Sequence, residues 1–172
     1  MDPADNRLYS LAPVSRSDMR LLILGSFPGA ASLRAQQYYA HPRNQFWPIL
    51  GALLGLPLPE LPYPERIHSL LSHRIGLWDV YASCRRDGSL DTAIRDAVPN
   101  DLGSLLVQAP ELRLVIHNGA ESARRMREIE ALGLPALRFP STSPANARFD
   151  LEAKLALWRE ALDRAGVLPV RS

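Results

Sequence analysis

The sequence predicts a three-layer α/β domain, an α/β/α sandwich around a mostly parallel sheet. Three observations carry that prediction. Apolar runs recur at Met19–Gly25, Gly76–Tyr81, Leu112–His117 and Ala136–Phe139, bounded by charge, glycine or proline as buried strands are. Segments with helical spacing lie between them, and strands alternating with helices pack as parallel βαβ units. The chain has 172 residues, 47% of them hydrophobic, which suits one domain with a sizeable core.

Residues 1–18 read as a ragged arm with Pro3 and Pro13 and no clean periodicity, ahead of a single domain over residues 19–168. The first strand, MRLLILG, stops at Pro28 and Gly29. Ala30–Ala40 can begin a helix, with Ser32 as a cap. Phe46–Leu54 is an apolar helix that tolerates Pro48 in its first turn. Gly55–Pro64 is a proline-rich loop. Pro64–Arg74 places Ile67, Leu70 and Leu71 at helical spacing. After GLWDVY, residues 82–90 read as polar and exposed. Leu90–Ala97 and Asp101–Gln108 read as short helices. Asn118 and Gly119 turn the third strand into an arginine-rich helix, Ala120–Leu132. Phe149–Ala165 closes the chain as a helix with Leu151, Leu155 and Trp158 on one face.

Composition excludes several classes. One cysteine, Cys84, rules out an internal disulfide framework, a cysteine zinc finger and an iron–sulfur cluster built within the chain. No apolar run approaches the ~20 residues that span a bilayer, and the polar start MDPADNRLYS reads as neither secretory signal nor anchor. His68 and His73 are off-register for one helix face, so no metal or other cofactor is expected. The net charge of +2 does not by itself imply a polyanion partner, although 19 of the 20 basic residues are arginine and Lys154 is the only lysine.

Ligands of parallel sheets sit beyond the carboxyl ends of the strands. Three polar loops fall there: SFPG, the segment after LWDV, and PSTSPAN. The amides of Gly25, Ser26, Phe27, Pro28 and Gly29 can form an anion nest or a plain strand–helix turn. Tyr38 and Tyr39 are adjacent, so one supports the core while the other can line a pocket and stack on a base. Asn44 offers a neutral amide that can hold a water, or it caps the helix that follows. Asp79 is an acid in an apolar strand, paired with Arg85 or Arg86 or free to accept from an N–H on a bound ring. Ser141, Thr142, Ser143, Pro144, Ala145 and Asn146 can grip a phosphodiester or serve as a turn and cap. Asn118 can be a turn residue only.

Together GSFPG, YYAHPRNQFW, GLWDV and PSTSPAN resemble the uracil-DNA glycosylase superfamily, and the likeness is greatest to its hypoxanthine-DNA (deoxyinosine) glycosylase branch. The resemblance spans Leu21 to Trp158. It implies a four-stranded parallel sheet and a monofunctional enzyme of base excision repair that flips a deaminated base, hypoxanthine above all, out of double-stranded DNA. It implies Asn44 as the catalytic, water-positioning residue. It places Gly25, Ser26, Phe27, Tyr39, Asp79 and Asn118 at the base, with Tyr39 stacking on it and Asp79 reading its edge. Pro28, Gly29 and Ser141–Asn146 fall to the DNA backbone and the gap left by the base, with Ala145 where other branches carry a bulky leucine. Phe27 stands where the mismatch-specific branch has Asn, and Ser141 where many members have His. The expected protein is a monomer without cofactor, metal or membrane partner, in a cytoplasmic, nucleoid-associated setting of bacterial type. A uracil or mixed-deaminated-base glycosylase and a catalytically silent DNA-binding relative are the alternatives.

Overall fold

Period-two alternation in the apolar strands decides the architecture. The computed structural model describes residues 6–146 and 150–170; Pro3, Ala147, Arg148 and Phe149, which fall in the expected arm, last loop and closing helix, lie outside the described residues. In chain order the elements are β1 (Leu8–Tyr9), β2 (Leu21–Gly25), α1 (Ala30–Ala35), α2 (Phe46–Leu54), α3 (Tyr63–Ser72), β3 (Ile75–Asp79), β4 (Tyr81–Arg85), β5 (Arg95–Pro99), α4 (Leu102–Val107), β6 (Leu114–Asn118), α5 (Ala120–Ala123), α6 (Met126–Ala131), β7 (Ala136–Phe139) and α7 (Leu151–Ala165).

The main sheet has the order β3-β2-β6-β7, and all of its pairings are parallel. Leu21, Ile23, Leu114 and Ile116 face one core with Phe46, Leu50, Leu70 and Trp158, which come from α2, α3 and α7. Leu22, Leu24 and Val115 face the opposite core with Leu102, Leu105 and Ile129. Both faces are therefore covered, as a sheet of near-continuous apolar strands requires. The chain places β3 on one side of β2 and β6 on the other. The strand order reverses at β2, and such a reversal opens a crevice at the carboxyl ends.

Several local expectations are corrected. From Asn6 onward the arm is not ragged. β1 pairs antiparallel with β4, and Val14 bridges Leu77. Residues 82–90 are not simply an exposed polar stretch, because β4 extends to Arg85 and buries Ser83 and Cys84, and Arg86 just beyond it is buried as well. Leu90–Ala97 is not a helix. A single 3-10 turn covers Asp91–Ala93, and β5 then completes a three-stranded antiparallel sheet, β1-β4-β5. Its partners are remote in sequence, which local helical spacing cannot register. The expected helix 120–132 is split into α5 and α6. Ser122 can thus reach the Leu24 carbonyl at 2.7 Å while Ile129 enters the core. Ser32 is no cap. It is buried inside α1, and its hydroxyl accepts from the Ala40 N–H at 3.1 Å. Gly29 occupies the cap position instead. α7 starts as a capped helix should, with Asp150 accepting from the Ala153 N–H at 2.7 Å.

Candidate active site

All four strands of the main sheet end at one cleft: Gly25 closes β2, Asp79 closes β3, Asn118 closes β6 and Phe139 closes β7. The cleft measures about 670 Å³, inside the roughly 300–1,000 Å³ range of small-molecule pockets. Every residue that the superfamily resemblance assigned to the base or the DNA backbone lines it. Gly25, Ser26, Phe27, Pro28 and Gly29 form one wall, Tyr39 and Asn44 a second, and Ser141–Asn146 a third, with Asp79 and Asn118 at the strand ends.

Asp79 is 4% exposed. Among the described residues Asp79 has no ion pair with Arg85 or Arg86, although the positive charge of Arg86 acts on it and lowers its carboxyl. Oδ2 instead accepts from the Ser10 hydroxyl at 3.2 Å. Oδ1 lies 2.5 Å from where a Cβ on Gly25 would stand, so only glycine fits beside it. Burial pushes the Asp79 carboxyl up to about 7, opposed by the Ser10 hydrogen bond and reinforced by the negative charge of Asp91.

Tyr38 and Tyr39 divide as adjacent residues should. Tyr38 is buried, and its hydroxyl donates to the Ala12 carbonyl at 2.7 Å. Tyr39, at φ 54°, is partly exposed and stacks on Phe46, with ring centroids 4.0 Å apart. Its hydroxyl is buried beside the Asn118 side chain, without a hydrogen bond of full geometry among the described residues. Burial, with the Asp79 charge second, raises the Tyr39 phenol far above its ordinary range.

Asn44 is partly exposed, and its Oδ1 accepts from the Phe46 N–H at 2.9 Å, fixing the side chain against the start of α2. The capping reading is met only in part: Asn44 satisfies the first N–H of α2 from one position ahead of the cap residue, Gln45, whose own side chain makes no cap bond. A carbonyl oxygen has two lone pairs, so the cap leaves one for a water.

The last loop is held from within. Thr142 is 1% exposed, and Asn118 clamps it at both ends: Oδ1 accepts from the Thr142 N–H and Nδ2 donates to Oγ1, each at 3.0 Å. Asn118 is therefore more than a turn residue, while Thr142 faces the interior. Ser141 Oγ accepts from the Ser143 N–H at 3.0 Å and Ser143 Oγ from the Ala145 N–H at 3.3 Å. Gly119, at φ 108°, leaves Ser141 its space, since a Cβ there would meet the Ser141 Cβ at 3.2 Å.

Sequence reasoning missed several residues that build this site. Ser10 comes from the arm and carries no local signal. Asp91 accepts from the Ser26 hydroxyl at 2.6 Å. Arg86 donates to the Pro28 carbonyl at 2.7 Å and lies 5.2 Å over the Phe27 ring. Lys154 is 1% exposed beneath the last loop. Its signal was legible, because a lone lysine stands on the face shared by Leu155 and Trp158. Among the described residues there is no group of three His, Cys, Asp or Glu side chains that could hold a metal, and no helix is long and apolar enough to cross a membrane.

The Uracil DNA glycosylase superfamily model matches residues 12–164. The chain belongs to the uracil DNA glycosylase superfamily. Within the superfamily it is 40% identical over 152 residues to a protein of Methanosarcina barkeri named hypoxanthine DNA glycosylase, covering 88% of this chain and 96% of the relative. A Methanosarcina acetivorans protein of the same name is 40% identical over 129 residues, covering 75% and 82%. Among solved structures, a solution NMR structure from Methanosarcina acetivorans, provisionally described as a uracil DNA glycosylase, superposes with a TM-score of 0.84 at 33% identity, covering 93% of this chain and 99% of that one. The four-stranded parallel sheet implied by the superfamily resemblance is thus present. The expected bacterial-type, nucleoid-associated cytoplasmic setting is corrected, because these similar superfamily members are archaeal.

Proposed function

We propose that this chain is a monofunctional DNA-deoxyinosine glycosylase of base excision repair, which extrudes hypoxanthine from duplex DNA and hydrolyses its N-glycosidic bond. The observation that carries the reading is the carboxylate of Asp79, buried at the end of β3 with one oxygen held by Ser10. Hypoxanthine presents N1–H, which an ionised Asp79 accepts. Adenine presents an unprotonated N1, which the same oxygen repels. A mismatch of buried polar groups discriminates strongly. The likeness to two hypoxanthine DNA glycosylases supports the same substrate.

The remaining roles follow from placement. The flipped base lies on the Tyr39 ring, which Phe46 backs. Extrusion costs a few kcal/mol, least at a mispaired base, which favours lesions. Backbone N–H groups at Ser26 and Phe27 serve O6 and receive the charge that develops on the departing base. Asn44, fixed by its cap, aims a water at C1′. Pro28, Gly29 and Ser141–Asn146 hold the strand on either side. Residues 19–168 form the catalytic domain, and the arm 1–18 contributes Ser10. Lys154 has its amine engaged by three oxygens, so no Schiff base forms on it and the strand is not cut.

Base release from matched duplexes carrying hypoxanthine, uracil, xanthine or an alkylated purine tests the reading, with Asn44→Ala as control. Release of hypoxanthine in preference to the others is expected. Preference for uracil would replace the substrate while keeping the enzyme class. Tight lesion binding with no base released would make the chain a DNA-binding relative.

A further inference from the structure

Lys154 is the only lysine beside 19 arginines, and it is 1% exposed on the inner face of α7. Its Nζ donates to Gln45 Oε1 at 2.7 Å, to the Ser141 carbonyl at 3.0 Å and to the Asn146 carbonyl at 3.2 Å. It forms no ion pair with a carboxylate among the described residues. A buried ammonium without a counter-ion is costly unless its donors are met. An ammonium has three donors, and three oxygens converge here. The planar fork of an arginine cannot point three donors in those directions from one atom.

The three acceptors belong to two walls of the cleft. Gln45 stands between Asn44 and α2, and Ser141 and Asn146 bracket the last loop. Two further bonds close the cage: the Gln45 N–H donates to the Thr142 carbonyl at 3.0 Å, and Asn146 Nδ2 donates to the Ser141 carbonyl at 3.0 Å. The carbonyls at 141, 142 and 146 are thus gathered inward, while Ser143 stays partly exposed on the cleft.

We propose that Lys154 is a positioning residue for DNA: its ammonium holds the Ser141–Asn146 loop in the shape that receives the phosphodiester and ties that loop to the segment bearing Asn44. The proposal rests on the glycosylase reading above. Its positive charge also lies directly beneath the loop, where it favours a docked phosphate.

The test compares wild type, Lys154→Met and Lys154→Arg in single-turnover release of hypoxanthine from duplex DNA, across DNA and salt concentration, with thermal unfolding alongside. Lys154→Met leaves the Gln45, Ser141 and Asn146 oxygens short of a buried donor, so its unfolding temperature should fall, and binding is therefore read per folded molecule. Its half-saturating DNA concentration should rise about tenfold, as two hydrogen bonds to the loop are lost. The slope of log affinity against log salt should become shallower by about one, because the loop releases a phosphate. Lys154→Arg keeps charge without the three-oxygen geometry and should weaken DNA in the same direction. It decides the matter if the methionine variant does not fold. A lowered unfolding temperature with unchanged half-saturation and slope per folded molecule would make Lys154 a packing residue and overturn the proposal. Wild type that releases no hypoxanthine at saturating enzyme defeats the glycosylase reading itself. Active wild type with an equally active, equally salt-sensitive Lys154→Arg defeats only the role of Lys154.

Discussion

The Ser10 hydroxyl donates to the buried carboxylate of Asp79 at 3.2 Å, across 69 positions of sequence. The arm therefore reaches the carboxylate proposed to read the base. Tyr38 adds a second tie through its hydroxyl to the Ala12 carbonyl at 2.7 Å. What the arm does for the site is to hold one oxygen of a costly buried acid.

Asp79 sets an acid limb on activity. Its carboxyl lies at about 7, and hypoxanthine recognition requires the ionised form, so kcat/KM for deoxyinosine should rise as pH increases through about 7. Asp79→Asn should lose that limb and narrow the preference for hypoxanthine over other bases. Equal loss on every substrate, with the limb intact, would reduce Asp79 to scaffolding.

The same group ties stability to pH in a fixed direction. An acid raised on folding contributes stability that is fully present below its unfolded value of 3.8 and lost as pH rises through about 7. Asp79→Asn should therefore raise the unfolding temperature relative to wild type at pH 8 and do less at pH 4. Thermal melts at the two pH values read the difference directly.

His117 works in the opposite sense. It is fully buried, and burial lowers its ring to about 4. A histidine depressed on folding contributes stability that is present above 6.5 and lost as pH falls through about 4. Its ring resonances should stay neutral in an NMR titration down to about pH 5, where an exposed histidine is already charged. Titration near 6.5 would contradict the burial.

Asn44 joins two roles in one side chain. Asn44→Ala should lose about 1 kcal/mol of stability with the cap and lower turnover on the order of a hundredfold through a misplaced water. Lesion-duplex affinity should largely survive. Affinity that falls in step with turnover would move Asn44 out of the chemical step.

Tyr39 separates ring from hydroxyl. Its oxygen lies beside Asn118 without a hydrogen bond of full geometry, so Tyr39→Phe should keep excision and stability close to wild type. Tyr39→Ala should cost roughly 1–3 kcal/mol of stacking in excision. A phenylalanine variant as impaired as the alanine one would show that the hydroxyl, not the ring face, engages the base.

The sheet and the cleft were legible because they rest on local patterns. LLILG and ALRF are dense apolar runs that end in polar loops, and the ends of parallel strands gather at one edge. β5 was illegible. RDAVP carries charge and proline and is a strand only because β4 pairs with it. Ser10 and Asp91 were missed for the same reason, since each takes its meaning from a partner 65 or more positions away. Lys154 was visible as an oddity of composition, but its acceptors are mostly main-chain carbonyls, which no residue type announces.

Gly25 and Asp79 are paired in the register of β2 and the neighbouring edge strand β3. A slip of β3 by one residue would bring Trp78 or Val80 to that place and turn the faces of β3 over. The chemistry at the floor of the cleft is thereby tied to the integrity of the core and shielded from insertions that reshape loops. A descendant of this chain that came to prefer another base would change the side chain at 79 first, because Asp79 leaves room only for glycine at 25.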